Sequence, residues 1–516
     1  MPPARDAEAS SAARCALGLS EVRAGRYEQA ADAFREALRA DGSRADLHTN
    51  LGGALFRLGH FEEAAAAFRQ AIALKPDIAG AEDNLGAALQ VLGRFDEAIA
   101  CLRNALARDP DNCAALCNLG NALRGQGAFD EALDCYGQAL KRRPGLAHAE
   151  WNRALVYLMR GDLERGWAAY SWRCKAGVAS FPKIDVPLWD GAALDHGRLL
   201  VLGEQGVGDE IMFASCLPEV IARTGRCVLV CEPRLAPLFR RAFDGLEVRG
   251  TRRGTDRDLD GIGPLECWIP AGDLPRHLRS KVEHFPRTAG YLRADPKKTA
   301  SWEKRLAALG HGPKVGLSWR GGRAGMERFR RSTSLELWAR LSRIPELRFV
   351  NLQYGDCREE IAEARRRWGL VIADWTDADP LVDLDDFAAE IAALDLVISV
   401  DNATVHMAGA LGKPVWMLLP KPADWRWMTE RADSLWYPSM RLFRQAEPHR
   451  WEPVFAELAR GLESLAARAA GGSIARPGGV LRDSKIPRES AGTGGRDAPP
   501  PNRLKLLDLT VAIRPN

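Results

Sequence analysis

Long hydrophobic runs are missing from these 516 residues. Nothing approaches the roughly eighteen consecutive apolar side chains of a membrane-spanning helix, so none is expected. No apolar core precedes the first amphipathic stretch of MPPARDAEASSAARCALG, so no secretory leader is expected either. A strong charge of one sign is also absent. The formal net charge is +4, and that leaves no global footprint for nucleic acid or a membrane surface. Cysteine is sparse and odd in number, eleven in all, which argues against a disulfide framework. Cys113/Cys117 falls on a predicted helix with no third ligand nearby. Cys227/Cys231 falls on a predicted strand, where residues four apart stand ~13 Å from each other, too far for one zinc ion. All eleven read as reduced thiols of a cytoplasmic protein. The 46% hydrophobic and 27% charged composition is that of an ordinary globular chain, and the length implies two to four domains.

What is present begins with a repeat. Gly25, Gly59, Gly93, Gly127 and Gly161 share one 34-residue register. Tyr27, Phe61, Phe95, Phe129 and Leu163 follow two residues later. The small column is Ala30, Ala64, Ala98, Ala132 and Gly166, and the bulky one Phe34, Phe68, Leu102, Tyr136 and Tyr170. Pro76, Pro110 and Pro144 close three repeats. The glycine permits the turn between two helices, the small residue their close packing, and the proline ends the second helix. This is the tetratricopeptide pattern. Such solenoids leave a concave groove lined by first helices, which suits a protein or peptide partner. Asn50, Asn84, Asn118 and Asn152 recur there at the same period. They read either as amides holding an extended peptide backbone or as packing residues common at that position. The fifth repeat departs into LERGWAAYSWR, where Trp167, Tyr170 and Trp172 are expected to dock against the next domain.

From residue 198 the pattern becomes alternating strand and helix. RLLVLGEQ, RCVLVCE, LEVRG and LECWIP form one strand series, and KVGLSW, LRFVNLQ, LVIADW, DLVISV and PVWMLLP a second. Short apolar runs alternating with amphipathic helices predict two doubly wound parallel sheets, with ligand at the carboxyl ends of the strands. The expected fold is therefore α + α/β: residues 1–13 a flexible N-terminus, 14–180 a solenoid of about five repeats, 181–295 and 296–470 two Rossmann-like halves, and 471–516 a disordered tail.

Two strand-to-helix turns carry candidate chemistry. In GEQGVGDE, Gly206 and Gly208 allow a tight turn, and Asp209 opens the helix towards the expected cleft. The third glycine of a dinucleotide fingerprint is missing, Ile211 standing in its place. Alone, Asp209 reads as a first-turn carboxylate that stabilises its helix. In SVDNATVHMAGALGKPVW, Asp401 and Asn402 precede a short helix carrying Thr404, His406 and Gly409. Amide, hydroxyl and imidazole at a helix N-terminus suit a pyrophosphate. Alone, His406 reads as a buried core histidine. Asp377/Asp379 and Asp383/Asp385 have the spacing of a metal-binding acidic pair and read as a solvated acidic surface. Trp425, Arg426, Trp427, Trp436 and Tyr437 form either a ring-stacking platform or interdomain packing.

SVDNATVHMAGALGKPVW and GVGDEIMFASCLP resemble the two signatures of the heptosyltransferase-like glycosyltransferases of family nine. GWAAYSWR, GEQGVGD, GLSWRGG, RRSTSL, NLQYGD, DWRW and SLWYPSMRLFRQ appear in order, as in bacterial tetratricopeptide proteins with a glycosyltransferase-like C-terminal domain. The resemblance covers about residues 14–460. It implies a GT-B fold and an inverting, metal-independent sugar transfer from a nucleotide-diphosphate donor, with no cofactor. Asp209 matches the proposed general base, with Gly206 and Gly208 in the acceptor loop. Asp401, Asn402, Thr404, His406 and Gly409 match the donor signature, Asn402 replacing the usual threonine, and Arg331 matches a basic residue on the diphosphate. Inversion needs one base for the acceptor proton and positive groups for the departing diphosphate. The alternative is a tetratricopeptide scaffold whose transferase-like domain no longer catalyses.

Overall fold

The computed structural model describes residues 4–78, 80–195, 197–251, 259, 261–287, 290–322 and 326–470. The tail expected at 471–516 lies outside them. The described chain divides into a unit that takes the residues to Val156 together with residues 326–330, and a second that takes Tyr157–Gly322 and the residues from Arg331 on.

The first unit is a tetratricopeptide solenoid built from paired antiparallel helices. Its pairs are Ala4–Arg23 with Tyr27–Ala40, Ala45–Leu58 with Phe61–Leu74, Ala81–Val91 with Phe95–Arg108, and Cys113–Gln126 with Phe129–Arg142; Ala147–Arg160 begins another. The glycines between paired helices take the left-handed backbone that other residues avoid, with φ of 74° at Gly25, 87° at Gly59 and 101° at Gly127. The bulky column fills the inside: Phe34, Phe68, Leu102 and Tyr136 are fully buried. Each of the first three lies against a glycine of its partner helix, where an added Cβ would stand 2.5 Å from Phe34, 2.6 Å from Phe68 or 2.8 Å from Leu102. Gly18, Gly52 and Gly86 therefore form a further 34-residue column that sets helix separation. The expected flexible N-terminus needs correction, because the first helix already runs from Ala4. Its alanine-rich composition favours helix, and Ser11 Oγ donates to the Ala37 carbonyl at 3.2 Å.

The second unit holds two all-parallel sheets. β1 (Leu199–Leu202), β2 (Cys227–Cys231), β3 (Leu246–Gly250) and β4 (Cys267–Pro270) lie in the order β3-β2-β1-β4. Val201 pairs with Leu229 on one side and Ile269 on the other. β5 (Lys314–Ser318), β6 (Arg348–Asn351), β7 (Ile372–Ala373), β8 (Leu396–Val400), β9 (Val415–Leu419) and β10 (Met440–Arg444) lie in the order β10-β9-β8-β5-β6-β7. Counted from β5, that is the doubly wound order 3-2-1-4-5-6. Strand direction of connection reverses between β1 and β4 in one sheet and between β5 and β8 in the other. Those switch points open crevices at the strand ends, and both candidate turns lie there, after β1 and after β8.

β10 was hidden in the sequence inside an aromatic stretch. Two expected helices are also broken: 209–224 is split into Val207–Ala214 and Leu217–Thr224 ahead of Pro218, and SLELWARLSRI gives only Leu335–Trp338 followed by a 3₁₀ segment.

The end of the repeat register belongs to this second unit. Trp167 donates through Nε1 to the Arg279 carbonyl at 3.1 Å, and its ring meets Trp425 and Trp436 edge-on. Tyr170 packs on Phe213 and Trp425. Trp172 is half-buried and carries Lys175 over its ring instead. Beside them Arg173, wholly buried, forks onto Glu204 at the end of β1, with Nε–Oε2 and Nη2–Oε1 both 2.7 Å. Its third nitrogen reaches Asp273 at 2.6 Å, and Glu204 also accepts the Gly272 N–H at 2.6 Å. The two switch-point loops after β1 and β4 are thus tied through one guanidinium. Removing it strands a buried carboxylate. Arg173→Met is expected to lower unfolding free energy by about 3–5 kcal/mol in urea titrations, with Arg173→Met/Glu204→Gln regaining most of it. A single variant as stable as wild type would show the pair to be dispensable.

Candidate functional site

The turn after β1 is held in an unusual conformation. Gln205 has φ of 63°, a left-handed backbone in a residue other than glycine. Its side chain explains how this persists: Nε2 donates to Tyr170 Oη at 3.0 Å, and Oε1 accepts from Arg426 Nη2 at 3.3 Å. Gly206 then caps the helix Val207–Ala214, and Asp209 reaches back to accept its N–H at 3.2 Å through Oδ2. The capping role expected of Asp209 is therefore filled by one oxygen. The other faces Arg426, whose Nε donates to Oδ1 at 2.9 Å and whose Nη2 contacts the same atom.

Gly208 shows why a glycine precedes the aspartate. An added Cβ would stand 2.8 Å from Cδ2 of His406, so the helices Val207–Ala214 and Ala403–Ala410 pack face to face here. Gly409 does the same on the far side, where a Cβ would meet the Tyr437 ring at 2.5 Å.

His406 is buried, its Nδ1 2.9 Å from Tyr437 Oη and its ring 5.2 Å from that of Trp427. Burial pushes its pKa down to about 3; nearby Asp209 opposes that shift and Arg426 reinforces it. The imidazole is neutral at pH 7. Asn402 caps its helix by accepting the Thr404 N–H at 2.9 Å, and it also accepts Ser399 Oγ at 3.1 Å. Its amide donates to Ser318 Oγ at 2.8 Å and the Arg320 carbonyl at 2.9 Å. All four hydrogen-bonding positions of the amide are used: the oxygen holds the local turn, and the two bonds donated by the nitrogen tie the end of β8 to the end of β5. Thr404 is likewise buried.

Asp401 is 3% exposed, and burial raises its pKa against the pull of Arg331, whose Nε is 3.6 Å from Oδ2. Asp424 lies between two cations: Arg426 Nη1 at 2.6 Å from one oxygen and Arg331 Nη2 at 3.4 Å from the other. Burial would raise its pKa, but Arg426 and Arg331 outweigh it and hold the carboxyl down at about 2. The two guanidiniums and three carboxylates form one chain: Asp209, Arg426, Asp424, Arg331, Asp401. Sequence reasoning found Asp209, Arg331 and Asp401 but read DWRW only as aromatic. The acid and the arginine interleaved with its two tryptophans were the available signal. Of those rings, Trp425 carries Arg426 at 4.5 Å from its centroid, and Trp436 packs on Phe285.

Beside this chain, at the ends of β1 and β2, a crevice of about 220 Å³ is lined by Ser180, Phe181, Glu204, Gln205, Glu210 and Cys231 among others. The acidic pairs are elsewhere and engaged. Asp377 pairs with Arg305, Asp383 with Lys298, and Asp385 takes both Nη atoms of Arg241. Asp385 is buried, which corrects the expectation of a wholly solvated acidic surface. Among the described residues no group of three or more His, Cys, Asp or Glu side chains converges as metal ligands would.

In the solenoid, Asn50, Asn84, Asn118 and Asn152 are all buried. Asn118 donates to the Asp83 carbonyl of the preceding repeat at 3.4 Å, and Asn152 to His148 in its own helix at 2.7 Å. At those two positions the amide serves the solenoid's own backbone.

Family models described as tetratricopeptide repeat match residues 15–77 and 77–145. The chain therefore carries a tetratricopeptide protein-interaction region, followed by a parallel-sheet α/β region. Protein FlbA of Caulobacter vibrioides is 38% identical over 335 residues, which is 62% of this chain and 56% of that protein. The chain thus spans little more than half the length of that relative. Among solved structures, MamA (41-end) from Desulfovibrio magneticus RS-1 is 19% identical, covering 32% of this chain and 92% of that one with a TM-score of 0.29. YrrB, described as a TPR protein with an unusual peptide-binding site, is 21% identical over 31% of this chain and 84% of its own, with a TM-score of 0.27. Among the described residues no helix is long and apolar enough to cross a membrane.

A neutral buried His406 has a measurable consequence. It stays unprotonated when folded but gains a proton below pH 6.5 when unfolded, so acid favours unfolding between pH 6.5 and about 3. Stability is expected to fall by about 1.4 kcal/mol per pH unit through that window, or about 2 kcal/mol by pH 5. His406→Gln should remove that part of the slope in urea titrations at pH 7, 6 and 5. An unchanged slope in the variant would assign it to other groups.

Proposed function

We propose that this chain is a glycosyltransferase of GT-B type. It moves a sugar, with inversion and without a metal or other cofactor, from a nucleotide-diphosphate donor to an acceptor that the solenoid selects. The acceptor is a protein or peptide, and the reaction takes place in the cytoplasm, where the eleven free thiols stay reduced. The observation that carries the reading is the meeting of two turns. Asp209 follows β1 at one switch point, Asp401 and the helix Ala403–Ala410 follow β8 at the other, and the ion-pair chain Arg426–Asp424–Arg331 joins the two carboxylates. The resemblance of both turns to family-nine signatures supports the same assignment.

In the reaction Asp209 accepts the proton of the acceptor hydroxyl. That oxygen attacks the anomeric carbon, and the bond from carbon to the diphosphate oxygen breaks with its electrons leaving on the diphosphate. Arg331 and Arg426 stabilise that charge, and the crevice beside Gln205 has room for the acceptor group.

A second reading, a tetratricopeptide scaffold with an inactive transferase-like domain, is favoured by one feature: the carboxylate of Asp209 is already held by Arg426. Release of nucleoside diphosphate from a panel of nucleotide sugars separates the two. With the accepted donor, Asp209→Asn is expected to cut turnover by ~10²–10⁴ while donor affinity stays near wild type. Asn caps a helix about as well as Asp, so a capping role alone predicts full activity. That result would remove Asp209 from the mechanism.

A further inference from the structure

Arg331 and Arg426 converge on one small anion, the carboxylate of Asp424. Arg426 Nη1 is 2.6 Å from Oδ1, and Arg331 Nη2 is 3.4 Å from Oδ2. Two guanidiniums facing the two oxygens of one planar acid is how proteins hold a carboxylate or a phosphate. Asp209 and Asp401 each touch only one of the two arginines. They are also fixed by other means. Asp209 accepts the Gly206 N–H within its helix turn, and Asp401 directly follows the central strand β8. Asp424 follows no strand directly, lying beyond β9 just before the 3₁₀ turn Trp425–Trp427, and its other polar contact is the Arg426 N–H at 3.2 Å.

Among the described residues three carboxylates meet these two guanidiniums, one negative charge in excess when all are ionised. An entering diphosphate adds two or more, and in a buried setting like charges that close repel strongly. The site therefore opens to such a ligand only when a carboxylate gives way, and the one that occupies the ligand's own place between both arginines is Asp424.

We propose that Arg331 and Arg426 form a diphosphate site that Asp424 keeps closed, its carboxylate standing where a phosphoryl group binds. This rests on the donor-site reading above, but it concerns anion binding and needs no turnover.

The test is calorimetric titration of inorganic pyrophosphate into the full chain. Asp424→Asn removes the competing charge yet keeps an oxygen for the Arg426 N–H; Asp424→Ser is the second variant should the first fail to fold. Either is expected to bind pyrophosphate at least ~10-fold more tightly than wild type, the 1.4 kcal/mol that one tenfold step represents. Adding Arg426→Gln, or Arg331→Gln, should abolish the gain. Affinity unchanged or weakened by the Asp424 substitution overturns the proposal, as does a gain that survives loss of both arginines. The donor reading fails separately: an absence of turnover with every nucleotide sugar, alongside the pyrophosphate gain, leaves this site standing. Turnover by the wild type without any gain in the variants removes Asp424 and leaves the transferase.

Discussion

A guanidinium taken out of water must find carboxylates, and in the α/β unit Arg426 finds two. Its side chain is 13% exposed, and the neighbouring Asp209 and Asp424 more than offset the burial that would otherwise lower its pKa. Arg cannot shed its proton as a lysine could, so the ion pairs cannot be relaxed by neutralising the cation. That constraint sets the geometry around it. Asp209 comes from the turn after β1, Asp424 from the loop after β9, and Gln205 from the strained turn between β1 and its helix. Arg426 is thus one tie between the two parallel sheets, beside the Gly208–His406 helix contact and the Arg241–Asp385 pair.

A second buried cation supports the first from behind. Arg173 holds Glu204, the residue before Gln205, and the Asp273 turn after β4. Tyr170 joins the two layers: its carbonyl accepts from Arg173, its hydroxyl from Gln205, and its ring packs edge-on against both Trp167 and Trp425. Arg173 also stands over that ring, 4.7 Å from its centroid. The aromatic residues after the fifth repeat glycine thus buttress the turn that carries Asp209. Packing of this kind is the interdomain alternative read for the tryptophans, and it accounts for Trp425 and Trp436 without any ligand.

The repeat and the succession of all strands but β10 were legible because each rests on periodicity. A 34-residue register survives substitution of individual columns, and a buried parallel strand must be apolar on both faces. β10 was not legible because MRLFR is interrupted by arginines at the edge of the sheet, where its outer side meets only the short segment at Ala432 and Asp433. The site was half legible. Asp209 and Asp401 lie at turns whose neighbours announce a strand end and a helix start. Asp424 and Arg426 sit in a loop with no period, and their meaning comes from residues more than two hundred positions away, as in the Arg426–Asp209 pair. Asn402 was legible as an amide at a helix start but not as the tie between β8 and β5, since Ser318 and Arg320 are distant in sequence.

The same geometry changes what His406 does. In a sequence, an imidazole on the first turns of a helix suggests a cation for phosphate. In the fold it is closed in by Gly208, Trp427 and Tyr437, and burial keeps it neutral. A neutral imidazole contributes a hydrogen bond and shape, not a charge. Among the described side chains, Arg331 and Arg426 bring positive charge to the junction of the two sheets. Both already hold carboxylates. The electrostatics of the site thus turn on the balance within that one chain of five side chains, and any ligand that competes for it must match the carboxylates in charge and exceed them in contacts.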